Sequence, residues 1–233
     1  MISLKSLKDR LGSFLAHQAG SRPGYFKFSY SGDLYDELQG WGLDASCFAA
    51  KLHQMLGLEF KDRDGWISFI KSFENERGEI YDPLVVSKGF LRNLFSATRR
   101  GYFGNALGKE SRRAGTRQSW ATLLILGGSP SRAYAGLPNT SAEIDSYLNR
   151  LNWKTNPWNA ASHAGQLLSF YGRAQKFFGE NRQELIAHTI KKLSEFQNPV
   201  DGSWHKNINL PNNVRVNSAM KIISGLSALL PAS

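Results

Sequence analysis

Lys191-Lys192-Leu193-Ser194-Glu195-Phe196-Gln197, followed by Asn198-Pro199-Val200-Asp201-Gly202-Ser203-Trp204, is the stretch that decides the fold. It reads as the end of an amphipathic helix, a short turn that contains glycine, and an aromatic residue. A helix C-terminus leaves its last carbonyls without partners. Glycine supplies the left-handed residue that ends it. The Gln197 side chain can bond free backbone groups of the turn, and Trp204 can pack the turn onto a neighbouring helix. The same grammar recurs twice. Trp66-Ile67-Ser68-Phe69-Ile70-Lys71-Ser72-Phe73-Glu74 leads through Gly78 to Ile80 and Tyr81. Phe14-Leu15-Ala16-His17-Gln18 leads through Gly24 to Tyr25 and Phe26. Internal repetition of this kind marks a helical-repeat architecture.

This grammar resembles the QW motif of the superfamily of terpenoid cyclases and protein prenyltransferases. The match is carried by Lys191, Lys192, Phe196, Gln197, Gly202 and Trp204. The other copies put Glu74 in place of glutamine and Tyr25 or Tyr81 in place of tryptophan. The resemblance covers one segment closely and most of the chain loosely. It implies an all-α fold, an α/α toroid or an incomplete toroid; the helices read from the sequence make about five pairs, and no composition break divides the single domain of residues 1–233. Such a ring usually closes with about six pairs, so a partner or a second copy is expected to complete it.

A second set of helices alternates with the first. They run from about Leu43 to Leu56, Thr116 to Leu126, Asn159 to Tyr171 and Val216 to Leu230. They are apolar nearly all round, the mark of buried elements. Pro83 to Thr98 and Ala142 to Leu151 read as outer or connecting helices. The longest loops fall at Arg99 to Gly115 and Gly128 to Thr140. Only Tyr25 to Tyr30 alternates like a strand.

Composition limits the function. Twenty-nine Lys and Arg against 19 Asp and Glu give a net charge of +10, which favours an anionic partner. The densest basic stretch is Arg99, Arg100, Lys109, Arg112, Arg113 and Arg117, and no run has the form of a nucleic-acid arm, so nucleic acid is disfavoured. One cysteine, Cys47, makes no intrachain disulfide and fits a cytoplasmic protein. No apolar run is long enough to span a membrane. The N-terminus has no signal-peptide form. It puts Leu4, Leu7, Leu11, Phe14 and Leu15 on one helical face, with Lys5, Lys8 and Arg10 opposite, so it reads as a helix docked on the core, with peripheral membrane contact as the other option.

In a ring of helix pairs the inner helices open their N-termini into one cavity. The residues placed there are Asp44, Asp82, Arg117, Trp120, Trp158, Arg215 and Asn217 as binding groups, with Ser46, Cys47, Gln118, Ser162 and Ser218 nearby. Helix N-termini favour anions, and Arg117 and Arg215 add bidentate contacts to a carboxylate or phosphate. The superfamily's aspartate motifs are missing: Asp33 to Glu37 departs from the DxDD type, and no paired magnesium motif exists. Asp44, Cys47 and His53 have the wrong spacing for the prenyltransferase zinc site. No metal and no cofactor is implied.

Asn159, His163 and Tyr81, with the arginines, are residue types that α/α-toroid polysaccharide lyases use. Asn neutralises a uronate carboxylate, and His or Tyr removes the acidified proton. Tyr171 lies about 12 Å along the helix from His163, so a loop tyrosine, Tyr81 or Tyr134, has to serve. The leading expectation is therefore a basic, aromatic-lined cavity that binds or processes an acidic saccharide. A non-enzymatic scaffold for a partner protein and an isoprenoid-related enzyme are the alternatives.

Overall fold

The computed structural model describes residues 4–100, 108–206 and 209–230. Its regular structure there is helical: α1 Leu4–Gln18, α2 Leu43–Leu56, α3 Arg63–Lys71, α4 Pro83–Arg100, α5 Lys109–Leu126, α6 Ser141–Asn149, α7 Pro157–Phe178, α8 Gln183–Ser194 and α9 Asn212–Ser227. The protein is all-α. The helices gather into two compact units, Met1–Ala135 and Gly136–Ser233.

Several boundaries differ from the sequence expectation, each for a physical reason. The α2 helix matches it. The α5 helix begins at Lys109, after Gly108 at φ +69°, and takes up the end of the expected loop; residues 101–107 of that loop lie outside the described residues. The α7 helix starts at Pro157, whose missing N–H is unneeded at a first helical position. Asn156 caps it by accepting from the Asn159 N–H at 3.3 Å. It then runs through Gly172 to Phe178. Gly172 ends nothing; a side chain there would collide with Ala228 and Leu229 beyond α9. The expected strand at Tyr25 to Tyr30 is reduced to isolated bridges, Ala19 with Phe26 and Ser29 with Gly32.

The three repeated turns share one geometry. Each closes with an isolated antiparallel bridge: Ala19 with Phe26, Glu74 with Ile80, Gln197 with Trp204. In each, a glycine with positive φ stands two residues before the closing residue: Gly24 (φ 80°), Gly78 (φ 69°) and Gly202 (φ 72°). The N–H after the first bridge residue donates to the carbonyl just before the second: Gly20 to Tyr25, Asn75 to Glu79, Asn198 to Ser203. In the second copy the bridge falls on Ile80, one residue before Tyr81, because the glycine sets the register. Gln197 Nε2 donates to the Gly202 carbonyl at 2.8 Å, and Trp204 Nε1 donates to the Leu193 carbonyl at 3.1 Å. Glutamine thus satisfies a carbonyl of the turn, and tryptophan adds a second donor to the Leu193 carbonyl, which also accepts the Phe196 N–H at 3.1 Å.

In the first unit α2 packs along α5, with α1 against α2 and α3 against α5. The core includes Leu15, Tyr25, Leu43, Ile70, Ile80 and Trp120, all nearly inaccessible. Leu4, Leu7 and Phe14 of α1 stay exposed while Leu15 is buried, so α1 docks through its C-terminal half. In the second unit α7 packs along α9, and α8 touches α6 and α7. Trp153 stacks on Phe196 at 4.6 Å between ring centres. Burial of each such side chain contributes about 1.5–3 kcal/mol.

Candidate functional site

Five of the sequence-derived candidates fall in each unit. In the first unit Asp82 sits just before α4. Its carboxylate accepts from the Val85 N–H at 3.1 Å, a helix cap, and from the Gly42 N–H at 2.9 Å. Gly42 precedes α2, so one buried carboxylate ties the starts of two helices. Burial outweighs these donors and raises the Asp82 carboxyl above its ordinary value. Asp44, in the first turn of α2, keeps contact with water. Desolvation of its carboxyl, and then the charge of Asp82, raise it as well. Ser46 is fully buried and accepts the Phe26 N–H at 3.0 Å. Thr116 on α5 does the same for the Ile80 N–H at 3.0 Å. These hydroxyls pin the repeated turns to the buried helices. Cys47 is buried, and desolvation pushes its thiol up to about 11.

The first half of α5 carries the basic cluster. Arg112 pairs with Glu79 at 3.5 Å and lies over the Tyr81 ring at 5.7 Å. Arg117 follows Arg113 by one turn on the same face. Arg117 is half-buried, its Nε is enclosed, and no hydrogen-bond or ion-pair partner meets it among the described residues. Burial and then the charge of Arg113 lower its pKa. Tyr134 lies in the field of Arg113, Arg112 and Arg77, though burial still raises its hydroxyl. Gln118 accepts from the Lys51 ammonium. Trp120 is wholly enclosed in the core.

In the second unit His163 is buried and shares a 3.1 Å hydrogen bond, through Nδ1, with the Tyr147 hydroxyl on α6. Asn159 precedes His163 by one turn of α7 and is half-buried; Trp158 is 46% exposed. Tyr171 is spent on structure: its hydroxyl donates to the Pro138 carbonyl at 2.7 Å, and burial raises it. Arg215 is held by the Leu210 carbonyl at 3.0 Å and by Asp201 at 3.4 Å. Asp201 also takes the Ser203 hydroxyl at 2.7 Å and faces His205 Nε2 at 3.1 Å. Those bonds, Ser203 first, hold its carboxyl well below the carboxylate range. Asn217 is half-buried on α9.

Tyr147 and Asp201 were missed by sequence reading. Tyr147 comes from a different helix than His163, and nothing in local spacing pairs them. Asp201 was visible only as part of the turn. No group of three His, Cys, Asp or Glu among the described residues is arranged to hold a metal ion.

Compared with protein-family models, with curated proteins and with solved structures, the chain finds no match. The site therefore has to be read from its own chemistry. Chemically, Arg117 and Arg113 offer adjacent guanidinium groups to a carboxylate, sulfate or phosphate, and Tyr81 and Tyr134 border the same stretch of α5.

Proposed function

We propose that the first unit binds an acidic saccharide, with the Arg113 and Arg117 guanidinium groups taking its carboxylate. One observation carries this reading. Arg117 is half-buried beside a second arginine, and no carboxylate answers it among the described residues. A desolvated, like-charged guanidinium is a destabilising arrangement unless something anionic completes it. Tyr81 and Tyr134 supply flat, hydroxyl-bearing faces suited to a sugar ring. Gln118 adds an amide at the next position, and Asp44, exposed in the first turn of α2, is an acceptor for hydroxyls, whereas Asp82 is spent on the helix starts. The three matching turns support kinship with α/α-toroid proteins at the level of the repeat.

Titration calorimetry with an oligouronate and a neutral oligosaccharide of equal length tests the reading. The acidic ligand binds, the neutral one does not, and added salt weakens the interaction. Arg117→Gln and Arg113→Gln each lose roughly tenfold to a hundredfold, the worth of a charge-assisted bidentate contact. Lys61→Gln, at an exposed position, changes little. An Arg117→Gln protein that binds the oligouronate as well as the wild type does overturns the proposal.

A second reading is favoured by the His163–Tyr147 pair. Asn159 neutralises a uronate, His163 takes the proton beside the carboxylate, and Tyr147 returns a proton to the leaving oxygen. This is a β-elimination that leaves an unsaturated uronate, visible by ultraviolet absorbance. Tyr147→Phe and His163→Ala must both abolish that absorbance; a lyase activity that survives both substitutions, or no activity in the wild type, removes this reading.

A further inference from the structure

The α4 helix stands apart from the others in what it leaves open. Among the described residues, no other helix packs along it as α2 packs along α5. Its 18 residues contain Lys88, Arg92, Arg99 and Arg100 and no acidic residue. Leu91 is 75% exposed, Phe95 70% and Leu94 39%. Positions 91, 94 and 95 share one helical face. Gly89 is buried and marks the opposite, protein-facing side. Ser87 and Thr98 turn their hydroxyls back onto the carbonyls of Leu84 (3.0 Å) and Phe95 (2.8 Å). Their polar groups are thus already satisfied within the helix, which lowers the cost of leaving water.

We propose that α4 is an interfacial helix, which seats Leu91, Leu94 and Phe95 in the surface of an anionic lipid bilayer. An exposed apolar stripe on a helix whose charged residues are all basic is the pattern of helices that lie in a membrane interface. Each cation near an anionic surface adds to the attraction. A second copy of the chain fits worse, since it would bring four basic residues against four. Three side chains of at most ~200 Å² each also fall short of the ~800 Å² per partner of a stable protein interface. No helix among the described residues is long and apolar enough to cross a membrane, so α4 lies on the surface.

Flotation with the full chain tests this. The protein rises with equimolar phosphatidylcholine–phosphatidylglycerol vesicles, stays behind with pure phosphatidylcholine, and is released by salt. Leu91→Ser/Phe95→Ser weakens partitioning roughly tenfold or more and leaves the thermal midpoint unchanged, because both side chains face water. Lys88→Glu weakens it too. A Phe95→Trp reporter shifts its emission to the blue on the anionic vesicles alone. Arg117→Gln floats like the wild type, which separates this surface from the saccharide site. Equal flotation of the Leu91→Ser/Phe95→Ser protein overturns the proposal. So does failure to float, loss of flotation in Arg117→Gln, or concentration-dependent dimerisation that the double substitution removes. Selective capture by an acidic polypeptide in place of vesicles likewise overturns it.

Discussion

A side-chain carbon added to Gly225 would stand 2.5 Å from the Cα of Gly165. The two glycines let α7 and α9 approach backbone to backbone, and the same test at Gly165 meets the Lys221 carbonyl. Backbone atoms cannot swing aside as a long side chain can. Gly225→Ala is therefore expected to destabilise the protein by about 3 kcal/mol, the upper end of over-packing. Gly179→Ala is the contrast: φ there is +66° but nothing lies within 4 Å. Only the left-handed backbone is strained, at about 1 kcal/mol. Urea midpoints of the two variants measure the difference.

Thr116 accepts the Ile80 N–H and donates to the Arg112 carbonyl at 2.8 Å, in full burial. Thr116→Val keeps the shape and strands the Ile80 N–H. The expected loss is about 1–3 kcal/mol. Thr116→Ser restores the hydroxyl and most of the stability. A Val variant as stable as the Ser variant would show that the hydroxyl is not what pins the turn.

Asp82 and Asp201 give opposite pH dependences. Burial raises the Asp82 carboxyl in the folded state. The folded state then holds that proton more tightly than the unfolded chain does. The stability difference between wild type and Asp82→Asn falls as pH climbs from the ordinary carboxylate range through the raised value. Asp201 is held low, chiefly by Ser203. Its contribution is present above the ordinary carboxylate value and is lost as pH falls through the lowered one. Unfolding free energies of both asparagine variants across the acid range should diverge from wild type with opposite slopes; parallel slopes refute the assignment.

Arg117 trades stability for recognition. Arg117→Met keeps an unbranched stem and removes an unanswered charge. Stability stays level or rises by up to about 1 kcal/mol, while oligouronate affinity falls. A marked drop in thermal midpoint would mean that the guanidinium is serving the fold.

Much of the fold was legible because its signals are local. The end of α2 at Gly57 and the end of α5 at Gly127 were readable, since glycine adopts positive φ without strain. The sequence reading ends α7 at Tyr171, seven residues short of Phe178, because Gly172, a glycine needed for close packing, looks the same in sequence as one needed for a turn. The start of α5 was missed because Gly108 and Lys109 fall in a polar stretch that periodicity leaves open. Of the candidate site, residue types and helix faces were legible. Partners were not: Tyr147 with His163, and Glu79 with Arg112, are chosen by packing between elements.

The sequence by itself determined an all-helical chain and the repeated turn from Gln197 to Trp204 with its two counterparts, whose closing residues the structure moves by one, from Tyr25 to Phe26 and from Tyr81 to Ile80. Helix periodicity and the glycine two residues before each closing residue act within a few residues, so they need no tertiary context. The tertiary structure alone decided which charges are answered. Asp201 neutralises Arg215, and Glu79 neutralises Arg112, whereas Arg117 stands beside Arg113 with no carboxylate to pair it among the described residues. Charge pairing depends on distances between elements far apart in sequence, and only packing sets those distances.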